Sequence, residues 1–326
     1  MPEEILLDIK GLNVWYRVYG GYLKVVHNLS LQVYRGERVG LVGEAGCGKT
    51  TTMKAILRIL PESVAHIPRG EIIFRGRDVL KMNRAELQKL RSRGIAMIFQ
   101  DPTSALNPVF TVGEQLEDVI RFALPPEERQ KKRIHDIAVQ ALKEVYLPDQ
   151  ERILQSYPVQ LSGGMRQRIC ISMAITTPRE LLIADEPGTS LDVTIQDQIL
   201  RLLRELVEKH GTSIILITHS LGVARQMTDR IYVMYAGSIV EAAPSATLFK
   251  EPLHPYTVGL LASVPKISGG GIAEGIPGRI PNYLNPPNGC RFQPRCSLSD
   301  DRCLSQSPPI LDVGGGHYVA CFRYER

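Results

Sequence analysis

The sequence predicts an α/β protein, and two features of the chain lead to that prediction. Short apolar runs rich in branched side chains have the length of buried parallel strands, with helical segments between several of them. They lie at residues 94–99, 181–184, 213–218 and 230–234. Residues 37–43 also read as a short buried strand that runs through a glycine turn into a helix over about residues 48–60.

The glycine turn has the sequence of a phosphate-binding loop. Residues 43–50 read Gly-Glu-Ala-Gly-Cys-Gly-Lys-Thr and fit the pattern G-x-x-x-x-G-K-[ST]. The glycines, Gly43, Gly46 and Gly48, let backbone N–H groups wrap phosphate oxygens at a helix N-terminus. Lys49 is then expected to reach the β- and γ-phosphates, and Thr50 to offer its hydroxyl to Mg²⁺. The loop alone predicts a nucleotidase of the phosphate-loop class.

The remaining strand and helix signals fill in this plan. A helical subdomain is predicted over about residues 101–170, where Pro126 and the two glutamates after it favour a helix start. A second amphipathic helix is predicted from Val193 to about Lys209, ending before Gly211. We interpret its apolar stripe as core packing.

Composition limits the classes of function. The 326-residue chain has 39 lysines and arginines against 34 aspartates and glutamates, and the surplus is spread along the chain, so no nucleic-acid surface is indicated. The longest apolar stretches, such as residues 214–217, are far shorter than the roughly 20 residues of a membrane-spanning helix. The first ten residues include two glutamates and no long apolar core, so nothing there directs export. We therefore expect a cytoplasmic chain.

Two adjacent carboxylates follow the apolar run 181–184. Asp185 and Glu186 are thereby placed at the carboxyl end of a strand, where α/β sheets bind ligands. Asp185 suits Mg²⁺, through a water molecule. Glu186 is the candidate general base that orients and polarises the attacking water. Taken alone, such a pair is more often a solvated strand end, and the presence of the phosphate loop reverses that preference in favour of catalysis.

The most specific string in the chain is Leu-Ser-Gly-Gly-Met-Arg-Gln-Arg at residues 161–168. Ser162 and the N–H groups of Gly163 and Gly164 open a helix and form a second anion site. With this string the chain resembles the nucleotide-binding domains of ABC transporters. The resemblance implies that this site closes on the γ-phosphate held by a partner subunit, and therefore that the protein acts as a dimer.

The resemblance assigns further residues to the ATP site. It implies that Thr51 contacts nucleotide beside Thr50, that Gln100 reaches the catalytic centre and Mg²⁺, that Asp192 lies near the site, and that His219 contacts the γ-phosphate. Tyr16 is the expected adenine-stacking aromatic, although Trp15 and Tyr19 could take that role.

Further strings narrow the resemblance to the ATPase subunits of dipeptide and oligopeptide importers. They lie at residues 101–108, 254–257, 260–265, 276–279 and 289–296. The resemblance implies an ATPase at the cytoplasmic face of the membrane, with a second and paralogous ABC subunit, two permease subunits and an extracellular solute-binding protein as partners. Peptides are the expected cargo, with saccharides or nickel in related importers. Ala45, Gly188 and Ser220 depart from the residues common in the family.

The expected architecture is a P-loop ABC-type nucleotide-binding domain over residues 1–251, containing the helical subdomain, and a small Cys-rich C-terminal domain over 252–326. Prolines and glycines become dense near Pro252, and there we expect turns. Four cysteines lie in this part, Cys290, Cys296, Cys303 and Cys321. Disulfides do not suit a protein that needs cytosolic ATP. A [4Fe–4S] cluster, a zinc site and unligated thiols stay open, and the resemblance favours the cluster.

A different class of function also fits the motifs: a soluble ABC ATPase that acts on ribosomes or DNA. Such proteins generally carry two cassettes in one chain or long coiled-coil insertions, and this sequence has one cassette and neither feature. A module that uses nucleotide only as a switch would not need Glu186 and His219.

Overall fold

The computed structural model describes residues 4–189, 191–264 and 275–325. The strands are β1 Ile5–Val18, β2 Gly21–Tyr34, β3 Arg38–Val42, β4 Ala65–Phe74, β5 Arg77–Asp78, β6 Ile95–Ile98, β7 Leu181–Asp185, β8 Ser213–Thr218, β9 Arg230–Tyr235, β10 Ser238–Pro244, β11 Leu311–Gly314 and β12 His317–Val319. The helices are α1 Lys49–Ile56, α2 Arg84–Lys89, α3 Pro102–Ala105, α4 Val112–Ala123, α5 Lys131–Glu144, α6 Gln150–Gln155, α7 Gly163–Ile175, α8 Val193–His210, α9 Leu221–Met227, α10 Ser245–Lys250, α11 Pro255–Ala262 and α12 Asp301–Ser305.

The chain divides into two compact units. The first combines the residues up to Lys81 with those from Leu216 onward, and the second runs from Met82 to Ile215. The chain passes from the second unit back to the first within β8. The predicted strand positions and the α/β class are confirmed by these elements.

An antiparallel sheet that the sequence analysis did not delineate forms one layer of the first unit. Its order is β2-β1-β4-β5, and β1 and β2 pair from Ile5 opposite Tyr34 to Val18 opposite Gly21. The inward side chains of β1, including Leu7, Leu12 and Val14, are buried. The alternation with polar residues is incomplete, because Leu6 and Asn13 are buried as well and register shifts interrupt the pairing of β1 with β2.

The other sheet of the first unit carries the phosphate loop. Strand β3 pairs in parallel with β9, from Val39 opposite Arg230 to Val42 opposite Val233. Strand β10 then pairs antiparallel with both β9 and β12, and β11 pairs antiparallel with β12. The last strands of the chain therefore extend the sheet that positions the loop.

The expectation of a separate, turn-rich C-terminal domain is not supported. Tyr256 and Phe292 pack on Tyr235 of β9, with ring centroids 4.7 and 5.0 Å away, in one buried cluster. Dense proline and glycine predict turns. They do not indicate whether the segment has a hydrophobic core of its own or packs on the core of another part of the chain. Here the aromatic side chains share the core of the first unit.

A buried carboxylate ties this part of the chain to β10. Glu241 is 1% exposed. Its oxygens accept the N–H groups of Leu253 and His254 at 2.8 and 2.9 Å, and His317 Nε2 lies 2.8 Å away. Because a carboxylate only accepts, Nε2 of His317 is the donor. Burial lowers the pKa of His254 to about 3, so its neutral ring can accept the Tyr256 N–H at Nδ1, at 3.0 Å.

The second unit holds the predicted helical region. Strands β6 and β7 pair in parallel from Ile95 opposite Leu181 to Ile98 opposite Ala184, and helices α3 to α7 lie between them in sequence. The helix expected to begin at Pro126 begins at Lys131 instead, because Pro126–Glu128 form a separate 3₁₀ turn. An initial proline with acidic neighbours suits either structure. Helix α8 ends at His210, and the predicted Gly211 follows it with a φ of 61°.

Within the described parts of the chain, no helix combines the length and the apolarity needed to cross a membrane.

Replacing Glu241 with alanine tests the buried carboxylate. The two N–H groups and His317 would lose their acceptor in a buried place, which we expect to lower the free energy of unfolding by about 3 kcal/mol and the melting temperature by roughly 6 to 12 °C. Glu251→Ala is the matched control, since Glu251 is 63% exposed and paired with Lys250 at the surface. Melting curves for the two variants that coincide would contradict the role given to Glu241.

Candidate nucleotide-binding site

The phosphate loop lies in the first unit, between β3 and α1. Gly43 and Gly48 have φ of 157° and 106°, which side chains rarely tolerate. A Cβ atom on Gly43 would lie only 2.1 Å from the carbonyl oxygen of Met234, and one on Gly48 would lie 3.1 Å from that of Val25. Glycine is thus required where the loop passes over the neighbouring strands.

The lysine of the loop is almost enclosed. Lys49 is 5% exposed, and its ammonium group donates to the carbonyl oxygens of Gly43 and Glu44 at 2.7 and 3.0 Å. These bonds hold the positive charge against the loop, next to the N-terminus of α1. Positive charge and the N–H groups at a helix start together favour an anion.

Of the three aromatic candidates for adenine stacking, Tyr16 has a contact with the loop's helix. Its hydroxyl lies 3.5 Å from Oγ1 of Thr51. Trp15 instead packs near Tyr22, at 5.9 Å between ring centroids, and Tyr19 stands fully exposed beyond the end of β1. The structure therefore favours Tyr16 for a position beside the nucleotide.

His219 is exposed in the first unit, directly after β8. The next residue, Ser220, caps α9: its Oγ accepts the N–H of Val223 at 3.4 Å. Serine and aspartate both serve as helix caps. The departure from aspartate at this position therefore leaves the local structure intact.

The acidic pair lies in the second unit at the end of β7. Asp185 is 3% exposed, and Glu186 adopts the left-handed conformation with φ of 45°. A non-glycine residue held there costs about 1 to 3 kcal/mol, and such strain is concentrated at functional sites. Gln100 Nε2 donates to Glu186 Oε2 at 3.2 Å. The structure thus brings two predicted catalytic side chains together.

The second anion site is also in the second unit. Ser162 caps α7 by accepting the Met165 N–H at 3.3 Å, and Asp192 caps α8 by accepting the Ile195 N–H at 2.9 Å. A Cβ on Gly164 would lie 3.0 Å from Cγ2 of Ile195, and one on Gly163 would lie 3.1 Å from a side-chain atom of Leu191. The two capped helix starts therefore adjoin.

The predicted site residues thus form two groups, one in each unit. The first contains Tyr16, Gly43, Gly46, Gly48, Lys49, Thr50, Thr51 and His219. The second contains Gln100, Ser162, Gly163, Gly164, Asp185, Glu186 and Asp192.

In the described structure the four late cysteines are not grouped as a metal-ligand set. Burial raises the pKa of the Cys290 thiol to about 11, and the neighbouring Cys303 and Cys296 contribute to the increase. The backbone also joins two of them, since the Cys290 N–H donates to the Cys303 oxygen at 2.9 Å. Yet among the described residues no three His, Cys, Asp or Glu side chains are grouped to hold a metal ion. The predicted iron–sulfur or zinc ligation is not supported by this arrangement.

The sequence analysis missed the side chains that contact the loop from the C-terminal part. Tyr256 and Arg295 bond to Glu44, and Tyr283 bonds to Gly46. Tyr256 and Arg295 lie in strings at 254–257 and 289–296 that carried the family resemblance. Their place in these strings marked the two residues as typical of the family, but it did not indicate that they contact the phosphate loop.

Two family models match the chain: "ABC transporter" over residues 26–189, and "Oligopeptide/dipeptide transporter, C-terminal region" over residues 240–303. The oligopeptide transport ATP-binding protein OppD of Bacillus subtilis is 43% identical, with 96% of this chain and 87% of that protein covered. The probable D,D-dipeptide transport ATP-binding protein DdpD of Escherichia coli is 40% identical, with 97% and 95% covered.

A solved structure also resembles the chain. A dimeric ATP-binding cassette, MJ0796, in a post-hydrolysis state with ADP and Pi, is 26% identical with a TM-score of 0.65, over 73% of this chain and 98% of that one. The fold and the two anion sites define a P-loop ATPase. The chain belongs to the ABC transporter ATP-binding family, in the group with the oligopeptide/dipeptide C-terminal region.

Gly43→Ala tests the packing of the loop. The methyl group would meet the Met234 carbonyl in a conformation that alanine rarely adopts. We therefore expect the free energy of unfolding to fall by about 3 kcal/mol and MgATP binding to be lost. Gly36→Ala is the control: Gly36 also has a positive φ, of 75°, but open space around its Cβ position, and should cost only about 1 kcal/mol. Equal unfolding free energies for the two variants would show that the contact with the Met234 carbonyl does not determine the loss of stability.

Proposed function

We propose that this ATPase powers an importer of peptides from the cytoplasmic face of a membrane. The observation that carries the proposal is the match of residues 240–303 to the oligopeptide/dipeptide C-terminal region, in a chain that is about 40% identical to named peptide-transport subunits over nearly its whole length. No observation favours the alternative of an ATPase acting on ribosomes or DNA.

The residues have the chemistry for hydrolysis. Lys49 and the N–H groups of the loop bind the β- and γ-phosphates, Tyr16 stacks on the adenine, and His219 contacts the γ-phosphate. Glu186, oriented by Gln100, accepts a proton from the attacking water while the new O–P bond forms and the bond to ADP breaks. The products are ADP and inorganic phosphate.

Magnesium fits the oxygen ligands that the chain offers. The hydroxyl of Thr50, the carboxylate of the buried Asp185 and the amide oxygen of Gln100 are the hard ligands that this ion prefers. Bound there, Mg²⁺ would neutralise charge on the phosphates.

A dimer completes the proposal. Ser162 with the N–H groups of Gly163 and Gly164 supplies the second anion site, which would bind the γ-phosphate held by a partner subunit. We infer a paralogous ABC subunit as that partner, with two permease subunits and an extracellular binding protein. ATP shifts the pair towards the closed state because it binds that state better. Co-purification with permeases would separate an importer subunit from a soluble ATPase.

Glu186→Gln tests the catalytic assignment. Removing the base should lower ATP turnover by roughly 10² to 10⁴ while MgATP still binds, because glutamine keeps the shape but cannot take the proton. Phosphate release and equilibrium MgATP binding would be measured on the same preparations. Glu208→Gln, which alters an exposed partner of Arg204 on α8, is the control and should leave turnover within about twofold. Unchanged turnover in Glu186→Gln would remove Glu186 from this role.

A four-cysteine metal site stays a proposal, favoured by the family resemblance and by the hydrogen bond from the Cys290 N–H to the Cys303 carbonyl oxygen at 2.9 Å. Iron and zinc would be measured in the purified protein, with the fourfold cysteine-to-serine variant as control. Iron with a brown colour that disappears in the variant would support a [4Fe–4S] cluster. Stoichiometric zinc without iron would refute the cluster. The absence of both metals would indicate that the four cysteines are free thiols.

A further inference from the structure

Three side chains from the part of the chain beyond residue 252 reach the phosphate loop, all within the first unit. The hydroxyl of Tyr256 accepts the N–H of Glu44 at 3.0 Å. The hydroxyl of Tyr283 donates to the carbonyl oxygen of Gly46 at 2.8 Å. The guanidinium of Arg295 donates through Nη1 to both carboxylate oxygens of Glu44, at 3.0 and 3.1 Å. The loop is thus contacted at its start and near its apex.

Each of the three is itself held firmly. Tyr256 is fully buried in the aromatic cluster with Tyr235 and Phe292. The backbone of Tyr283 is tied to β2, because its carbonyl oxygen accepts the N–H of Lys24 at 2.9 Å. Rigid supports of this kind fix the geometry of whatever they contact.

Arg295 is the most constrained of the three. Its side chain is only 4% exposed. Nε donates to the carbonyl oxygen of Pro277 and Nη2 to that of Ile276, both at 2.9 Å, while the guanidinium lies 5.6 Å from the centre of the Tyr235 ring. With its donors engaged on three sides, the charge cannot move away from Glu44.

The charge on Glu44 gives these contacts a consequence for ATP. Glu44 belongs to the loop that must accept a polyanion, and its carboxylate is 29% exposed. An unpaired carboxylate there would repel the phosphates, and Arg295 neutralises it. The Tyr283 hydroxyl also engages the Gly46 carbonyl oxygen, so this acceptor has a donor within the protein.

We propose that Arg295, Tyr256 and Tyr283 are positioning residues for ATP binding: they hold the phosphate loop in shape and cancel the charge of Glu44. The C-terminal part of the chain is then a component of the nucleotide site. This inference rests on the proposed binding of ATP by residues 43–50, and it adds a function for the residues that follow the cassette.

A double-mutant cycle on the full chain tests it. We expect Arg295→Met to raise the dissociation constant of MgATP about tenfold when Glu44 is present, because the bare carboxylate repels the ligand. In the Glu44→Gln background the same change should cost less than about threefold, since no charge remains to be cancelled. The effect should fall on the dissociation constant and KM and leave kcat within about twofold, and Arg295→Lys should restore most of the affinity.

If Arg295 had a purely structural role, Arg295→Met would weaken MgATP binding by the same factor in both backgrounds. That result would overturn the proposal. Unchanged MgATP binding in Arg295→Met would overturn it as well. If Arg295→Met fails to fold, Tyr283→Phe decides. It deletes one hydroxyl, and we expect about threefold weaker MgATP binding with an unchanged melting temperature, so unchanged binding would count against the proposal. Failure of the wild-type chain to bind MgATP would instead refute the proposed function itself.

Discussion

The close backbone packing of the phosphate loop is the constraint on which the rest of the site depends. Gly43 passes over the carbonyl of Met234, and the N–H of Gly237 donates to the carbonyl oxygen of Cys47 at 2.9 Å. The parallel pairing of β3 with β9 brings these two segments together. A loop fixed in this way presents its backbone N–H groups in a preformed arrangement, which favours anion binding. The Lys49 ammonium would exchange a loop carbonyl oxygen for the anion.

The same packing explains why the C-terminal part is joined to the cassette. Strand β9 supports the loop on one side, and its Tyr235 is the centre on which Tyr256 and Phe292 pack. Glu241 on β10 then anchors the chain at Leu253 and His254, so the polypeptide enters that cluster from a fixed point. A segment that matches the oligopeptide/dipeptide C-terminal region thus contacts the phosphate loop directly and packs in the same core.

Sequence could predict the features that local chemistry dictates. Strands β3, β6, β7, β8 and β9 are short apolar runs, and the loop and the helix start at Ser162 have specific strings, so these were found. The partners of Arg295 could not be predicted, because Glu44 is 251 residues away and only the tertiary fold joins them. The cysteines show a further limit: the family resemblance favoured a cluster, but the described residues contain no grouped set of metal ligands, and the spacing of cysteines does not determine where their sulfur atoms lie. The antiparallel sheet was missed because register shifts in the pairing of β1 with β2 interrupt the alternation of polar and apolar residues that would predict a strand.

We propose that the chain hydrolyses ATP as half of a dimer. The most direct measurement is the rate of Mg²⁺-dependent phosphate release per molecule of purified protein over a wide range of protein concentration. If two chains must come together, the specific rate rises with protein concentration, in the chain alone or with an added paralogous subunit. A specific rate that is the same at every concentration would contradict the dimer. Saturable MgATP binding with no hydrolysis at any concentration, even with permeases and the paralogous subunit present, would contradict the proposed hydrolysis.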